Sequence, residues 1–132
     1  MLAAGAALAA CGSSSKVTMP SDLNEQRVFF DFDKSDIRED AKAGLLGQSM
    51  YMKAYPDTKI IIEGHCDERG TAEYNLALGA RRANASKAVM VRDGVDAGRI
   101  QTISYGKERP WVLGSGEEVW KWNRNTTTVV KK

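Results

Sequence analysis

Between Gly64 and Gly70 the chain sets five chemically active side chains in a row, His65-Cys66-Asp67-Glu68-Arg69. An imidazole, a thiol and two carboxylates side by side invite proton transfer, nucleophilic attack or metal ligation. Extended geometry sends His65 and Asp67 to one side of the backbone and Cys66 and Glu68 to the other, so the four do not converge. Zinc requires three or four convergent ligands, and the whole chain holds one His and two Cys, so no metal centre is expected. Ser115, between Gly114 and Gly116, lacks the strand-to-helix setting of a nucleophile elbow. The chemistry that remains is recognition, through a carboxylate at Asp67 and a guanidinium further on at Arg82. The expectation is a binding module that uses no cofactor, and not an enzyme.

The elements that must position these groups lie on either side. Lys59-Ile60-Ile61-Ile62 is β-branched, the composition of a buried strand. From about Ala72 the pattern turns helical, and Gly94 stops it as a C-terminal cap. At about 100° per residue, Asn75, Leu78, Gly79, Arg82, Ser86, Val89 and Met90 share one face, while Arg81, Asn84, Lys87 and Arg92 lie elsewhere. Arg82 therefore sits on an inward stripe, where an unpaired charge costs several kcal/mol. It lies roughly 13 Å into the helix at ~1.5 Å per residue, so the turn must fold back if Asp67 is to reach it. Two arrangements satisfy these charges. One is a structural Asp67–Arg82 bridge; the other is a cleft in which Asp67 takes the ammonium, and Arg82 the carboxylate, of a zwitterion.

The run Gly64-His65-x-Asp67-Glu68-Arg69-Gly70-Thr71-x-Glu73-Tyr74-Asn75-x-x-Leu78-Gly79-x-Arg81-Arg82-Ala83-Asn84-Ala85 resembles the peptidoglycan-associated lipoproteins of the OmpA-like domain family. The likeness extends from Phe30-Asp31-Phe32-Asp33 through Tyr105-Gly106-Lys107-Glu108-Arg109-Pro110 to Asn123-Arg124. It implies an α+β sandwich, β-α-β-α-β-β, with helices packed on a mixed sheet. It also implies that Asp67 and Arg82 bind the diaminopimelate of a peptidoglycan stem peptide. Asp33 is expected near that peptide, Asn75 and Leu78 along the same cleft, and Arg69 and Thr71 at its rim. Arg124 is carried over as a ligand contact. The resemblance implies an anchor between outer membrane and peptidoglycan, within the Tol-Pal envelope system. An alternative role is a protein-interaction subunit that docks the periplasmic protein TolB on a surface overlapping the cleft.

At 132 residues the chain is one domain with an appendage, and its net charge of +2 is too small and too scattered for a nucleic-acid partner. Residues 1–10 are almost wholly apolar, half of what a bilayer span needs, and read as the h-region of a secretory leader. No Lys or Arg precedes them, the pattern of a shortened start. Leu8-Ala9-Ala10-Cys11 resembles a lipobox, which makes Cys11 the expected lipidation site; Gly12 after it favours the outer membrane in the family pattern. Residues 11–26 read as the lipidated Cys and a Ser-rich flexible tether, and residues 27–132 as the domain.

Within the domain, Val28, Phe30 and Phe32 alternate with Phe29, Asp31 and Asp33, which predicts a strand over 27–33. Asp36 and Glu39 have the spacing of a capping box for a helix from about Arg38 to Ala54, with Ala41, Leu45 and Met52 on its inner face. Ile100 to Tyr105 reads as a third strand, parallel to the Ile60–Ile62 strand. A short helix over 117–122 and a last strand over 126–132, at or near an edge, complete the order. The tail departs from the family where Arg124 is followed by Asn125-Thr126-Thr127-Thr128, and those threonines mark the last strand as the least secure element.

Overall fold

The computed structural model describes residues 17–132, so Cys11 and the leader before it lie outside the described residues. In chain order the elements are β1 (Gln26–Phe29), α1 (Glu39–Ala54), β2 (Ile60–His65), α2 (Ala72–Arg92), β3 (Ile100–Gly106), α3 (Glu117–Asn123) and β4 (Asn125–Val130). A one-turn 3-10 segment, Ala97–Arg99, leads into β3. The strands form one mixed sheet in the order β1-β4-β2-β3. β2 and β3 are parallel, as a helical crossover requires, and β4 runs antiparallel to both β1 and β2. The expected α+β architecture is the observed one.

Helices α1 and α2 pack on one face of this sheet. Val28, Phe30, Leu45, Met52, Ile60, Ile62 and Met90 form the core between the layers. Burying each of these side chains stabilises the fold by about 1.5–3 kcal/mol. The α2 stripe read from the sequence is the buried one, Arg82 included. Two glycines let α2 settle onto β2: a Cβ on Gly64 would lie 1.8 Å from the Gly79 carbonyl oxygen, and one on Gly79 would lie 2.3 Å from Ser104 Oγ. Only paired glycines permit that approach.

Five expectations need correction. β1 ends at Phe29, and the inward alternation stops at Phe30; Phe32 is 53% exposed because the chain turns at Asp31–Lys34. Packing also begins before residue 27, since Leu23 is fully buried in the core. The capping box does not form: α1 starts behind Arg38 without a side-chain cap, and Arg38 instead reaches the Asp40 carboxylate. His65 and Asp67 do not share a side. The β2–β3 register breaks at Gly64/His65 and β2 ends at His65, so Asp67 already belongs to the turn.

The largest correction concerns β4, which lies inside the sheet and not at its edge. Its threonines are buried because their hydroxyls are satisfied. Thr126 pairs with Ser86 Oγ at 2.9 Å, Thr127 donates to Asn125 Oδ1 at 2.8 Å, and Thr128 donates to Gln48. A buried hydroxyl with its partner in place is nearly neutral, and its β-branched methyl still packs.

Hydrogen exchange should therefore find the Thr126–Thr128 amides as protected as those of Ile60–Ile62. Gly64→Ala should cost ~3 kcal/mol or more in urea unfolding, because its Cβ meets backbone and no side chain can move aside. Gly98→Ala, whose Cβ meets nothing closer than 3.5 Å, should stay within about 0.5 kcal/mol.

Candidate functional site

At the C-terminal end of β2 a cleft of about 260 Å³ opens between three segments. The β1–α1 loop contributes Phe32 and Asp33, the β2–α2 turn contributes Cys66, Asp67 and Arg69, and α2 contributes Tyr74, Asn75, Leu78 and Arg82. Of the eight site residues expected from sequence, Asp33, Asp67, Arg69, Asn75, Leu78 and Arg82 come together here. Thr71 and Arg124 do not line the cleft.

Arg82 forms its floor. It is wholly buried, and its guanidinium donates to three main-chain carbonyls: Nε to Lys34 at 2.8 Å, Nη1 to His65 at 2.9 Å and Nη2 to Asp31 at 3.1 Å. A guanidinium has five N–H groups, so two remain, one on each Nη. Among the described residues no carboxylate forms an ion pair with Arg82, and the structural Asp67–Arg82 bridge is not what folds. Burial lowers the Arg82 pKa, with the nearby Asp67 and Asp33 opposing the shift. A guanidinium starts so high that it stays charged. The cleft thus holds a fixed cation whose hydrogen bonds are partly met and whose charge is not.

Asp67 pairs elsewhere. Its Oδ1 accepts from the Arg69 backbone N–H at 3.0 Å and from Arg69 Nε at 3.1 Å; Oδ2 accepts from Arg69 Nη2 at 2.8 Å. A second contact to Oδ2, from Arg124 Nη1, is long at 3.5 Å, which leaves that oxygen with acceptor capacity. Burial alone would raise the Asp67 pKa, but the hydrogen bonds from Arg69 outweigh it and hold the carboxyl below the usual carboxylate range. A depressed carboxyl stabilises the fold above its unfolded pKa of about 3.9, and that contribution is lost as pH falls through the folded value. Arg124 sits behind Asp67, buried, with its fork on Glu117 at 2.8 and 3.0 Å and its Nε on the Phe30 carbonyl at 3.0 Å. It positions Asp67 and does not face the cleft.

The turn is held rigidly. Thr71 is the N-cap of α2, its Oγ1 accepting from Tyr74 N–H at 3.1 Å. Asn75 Nδ2 donates to the carbonyls of Arg69 at 2.7 Å and Thr71 at 3.0 Å, tying the turn to the helix. Leu78 and Cys66 give the cleft an apolar wall; the Cys66 thiol donates to the Asn75 carbonyl, and burial pushes its pKa up to about 11. It is an inert thiol at neutral pH.

Several residues of the site were not expected. Arg69 lies between two aromatic faces, 3.8 Å from the Phe32 ring centroid and 4.0 Å from that of Trp120. Trp120 Nε1 also donates to Glu68 at 2.6 Å. Tyr74 reaches across the mouth to donate to the Asp33 carboxylate. Asp33 itself holds a left-handed φ of 59°, which aims a loop residue at the cleft. Asp33 and Arg69 were expected from the sequence; the aromatic side chains around them were not. Phe32 comes from a loop and Trp120 from a short helix, with no period to read, and Tyr74 lies off the inward stripe of α2.

Among the described residues, no three His, Cys, Asp or Glu side chains are grouped to hold a metal ion. None of the described helices is long and apolar enough to cross a membrane. The OmpA family pattern matches residues 29–124. The chain is 46% identical to a peptidoglycan-associated lipoprotein of Rhizobium meliloti, over 98% of this chain and 72% of that protein. It is 43% identical to that of Haemophilus influenzae, over 94% and 92%. Among solved structures, the peptidoglycan-associated lipoprotein of Burkholderia pseudomallei superposes with a TM-score of 0.78 at 39% identity, covering 81% of this chain and 91% of that one. Sequence pattern, relatives and fold agree that this chain belongs to the OmpA family and, within it, to the peptidoglycan-associated lipoproteins.

Proposed function

We propose that this chain is an outer-membrane lipoprotein that holds the membrane to peptidoglycan without a covalent bond, by taking the diaminopimelate of a stem peptide into the cleft. The observation that carries this reading is Arg82, a buried cation lining an open cleft, with two N–H groups unspent and no carboxylate paired to it among the described residues. It suits a ligand carboxylate bound in bidentate fashion. Asp67 Oδ2, and Asp33 at the mouth, suit the ammonium on the same carbon. Leu78 and Phe32 suit the aliphatic stem of the ligand. The role is binding, not catalysis. Residues 11 onward serve as the anchor and tether, with Cys11 acylated at the periplasmic face of the outer membrane; each buried CH₂ of the acyl chains adds about 0.8 kcal/mol. Docking of TolB and its Tol partners is the finer part of the same reading. It is supported by exposed apolar side chains at the cleft mouth, Phe32 at 53% and Tyr74 at 46%.

Calorimetric titration of a soluble diaminopimelate stem peptide tests the site. Asp67→Asn and Arg82→Lys should each lose about 2–5 kcal/mol of binding, roughly 30-fold to several thousand-fold. Arg81→Ala, on an exposed face of α2, should bind as the unsubstituted chain does. A lysine-type stem peptide, which lacks the distal carboxylate, should bind more weakly. Thermal melts must first show each variant folded. Equal binding by folded Asp67→Asn and Arg82→Lys would reject the assignment, and loss of stem-peptide binding on adding TolB would support the overlap.

The anchor is tested separately. Behind a complete signal sequence, Cys11→Ser should abolish incorporation of labelled palmitate and release the protein from the outer-membrane fraction. Labelling that persists in the serine variant would refute lipidation at Cys11.

A further inference from the structure

The sheet face away from α1 and α2 carries a second cavity, independent of the cleft. Strand register sets Arg27 of β1, Thr127 of β4 and Glu63 of β2 in one lateral row. His65 follows Glu63 along β2, only 7% exposed, and the Arg109-Pro110-Trp111 segment closes over them to leave about 210 Å³. Two buried polar atoms have no hydrogen-bond partner among the described residues, Arg27 Nε and His65 Nδ1. Both residues line this cavity. Buried polar atoms are nearly always paired, so two orphans in one cavity mark a place where the partner comes from outside.

The charges say what kind of partner. Arg27 makes only long contacts, 3.3 and 3.5 Å, to Glu25. Arg109 has no hydrogen bond or ion pair among the described residues. Both guanidiniums rest on aromatic faces, Arg27 on Trp111 at 4.0 Å and Arg109 on Tyr105 at 3.8 Å. Among the described residues Glu63 is the single carboxylate lining the cavity, and it faces His65 at 3.1 Å. The exposed Glu25 carboxylate meets Arg27 only at 3.5 Å and lies outside the cavity, so among the lining groups two guanidiniums face one carboxylate, an excess of one positive charge that matches a carboxylate better than a phosphate dianion. The imidazole adds a second requirement. A carboxylate can only accept, so His65 Nε2 carries the proton given to Glu63, and Nδ1 of the neutral ring presents a lone pair. Burial keeps the ring neutral by lowering its pKa, and Arg27 and Arg109 push the same way against Glu63. The ligand must therefore bring an anion and, close to it, an N–H donor.

We infer that this outer-face cavity binds the C-terminus of a peptide, its carboxylate held by Arg27 and Arg109 and its last amide N–H given to His65 Nδ1. Trp111 and Pro110 form an apolar lip for the terminal side chain. An internal glutamate carries its carboxylate too far from an amide N–H to serve both.

His65 is the only histidine of the chain, so its imidazole nitrogen signals report the site without overlap. N-acetyl-Ala-Ala with a free C-terminus should shift Nδ1 saturably, whereas its C-terminal amide and N-acetyl-Gly-Glu-Gly-amide should not. The L,L and D,D forms of the free acid distinguish a protein C-terminus from a cell-wall peptide, and saturable binding of either supports the site. Arg109→Gln, an exposed change that leaves the core alone, should weaken binding at least tenfold, ~1.4 kcal/mol. Histidine signals unmoved by both free acids, equal response to the amide or the glutamate peptide, or an Arg109→Gln chain that titrates unchanged would each overturn the inference.

Discussion

A wholly buried guanidinium held by main-chain carbonyls is the constraint on which the rest depends. Arg82 takes carbonyls from Asp31 and Lys34 in the loop after β1 and from His65 at the end of β2. One side chain of α2 thus fixes two segments distant in sequence. Hydrogen bonds to a charged group contribute about 1.5–3 kcal/mol each, and they orient the loop that carries Phe32 and Asp33. Carbonyl dipoles satisfy donors but do not cancel a charge, so the same contacts that hold the fold leave the cleft electropositive at its floor. The reach of Arg82 depends in turn on Gly64 and Gly79, which let α2 approach β2 closely enough for the side chain to arrive.

Aromatic faces do for the other arginines what carbonyls do for Arg82. Arg69 is clamped by Phe32 and Trp120, Arg27 lies on Trp111, and Arg109 lies on Tyr105. Such stacking contributes about 0.5–2 kcal/mol. Its larger effect is to remove rotamer freedom from a long side chain before a ligand arrives, lowering the ordering cost of binding. Arg69 shows the arrangement at work, since its clamped guanidinium keeps Asp67 ionised and pointed into the cleft.

The helical stripe of α2, the Ile60–Ile62 strand and the Asp67/Arg82 cleft were legible because each leaves a local mark: a period, a β-branched run, a charge on the wrong face. What was not legible depends on partners far along the chain. Thr126 and Thr128 look like surface residues until Ser86 and Gln48 are known to meet their hydroxyls. Asp36 and Glu39 have cap spacing, but the chain enters α1 at Arg38 by another path. Of the two arrangements open to Asp67 and Arg82, the structural bridge does not form for the same reason, since Arg69 and Arg124 hold the carboxylate. No spacing could reveal Trp120 beside Arg69, because the two meet only after α3 has folded back over the turn.

The central place of β4 bears on how the chain is made. Among the described strands β1 pairs only with β4, and β2 reaches it only through β4. Before β4 is available, the chain holds a parallel pair and a stray strand, with no sheet joining them. Closure must wait for β4, and such non-local pairing folds slowly. A chain shortened by even one strand would remain open and vulnerable to proteases.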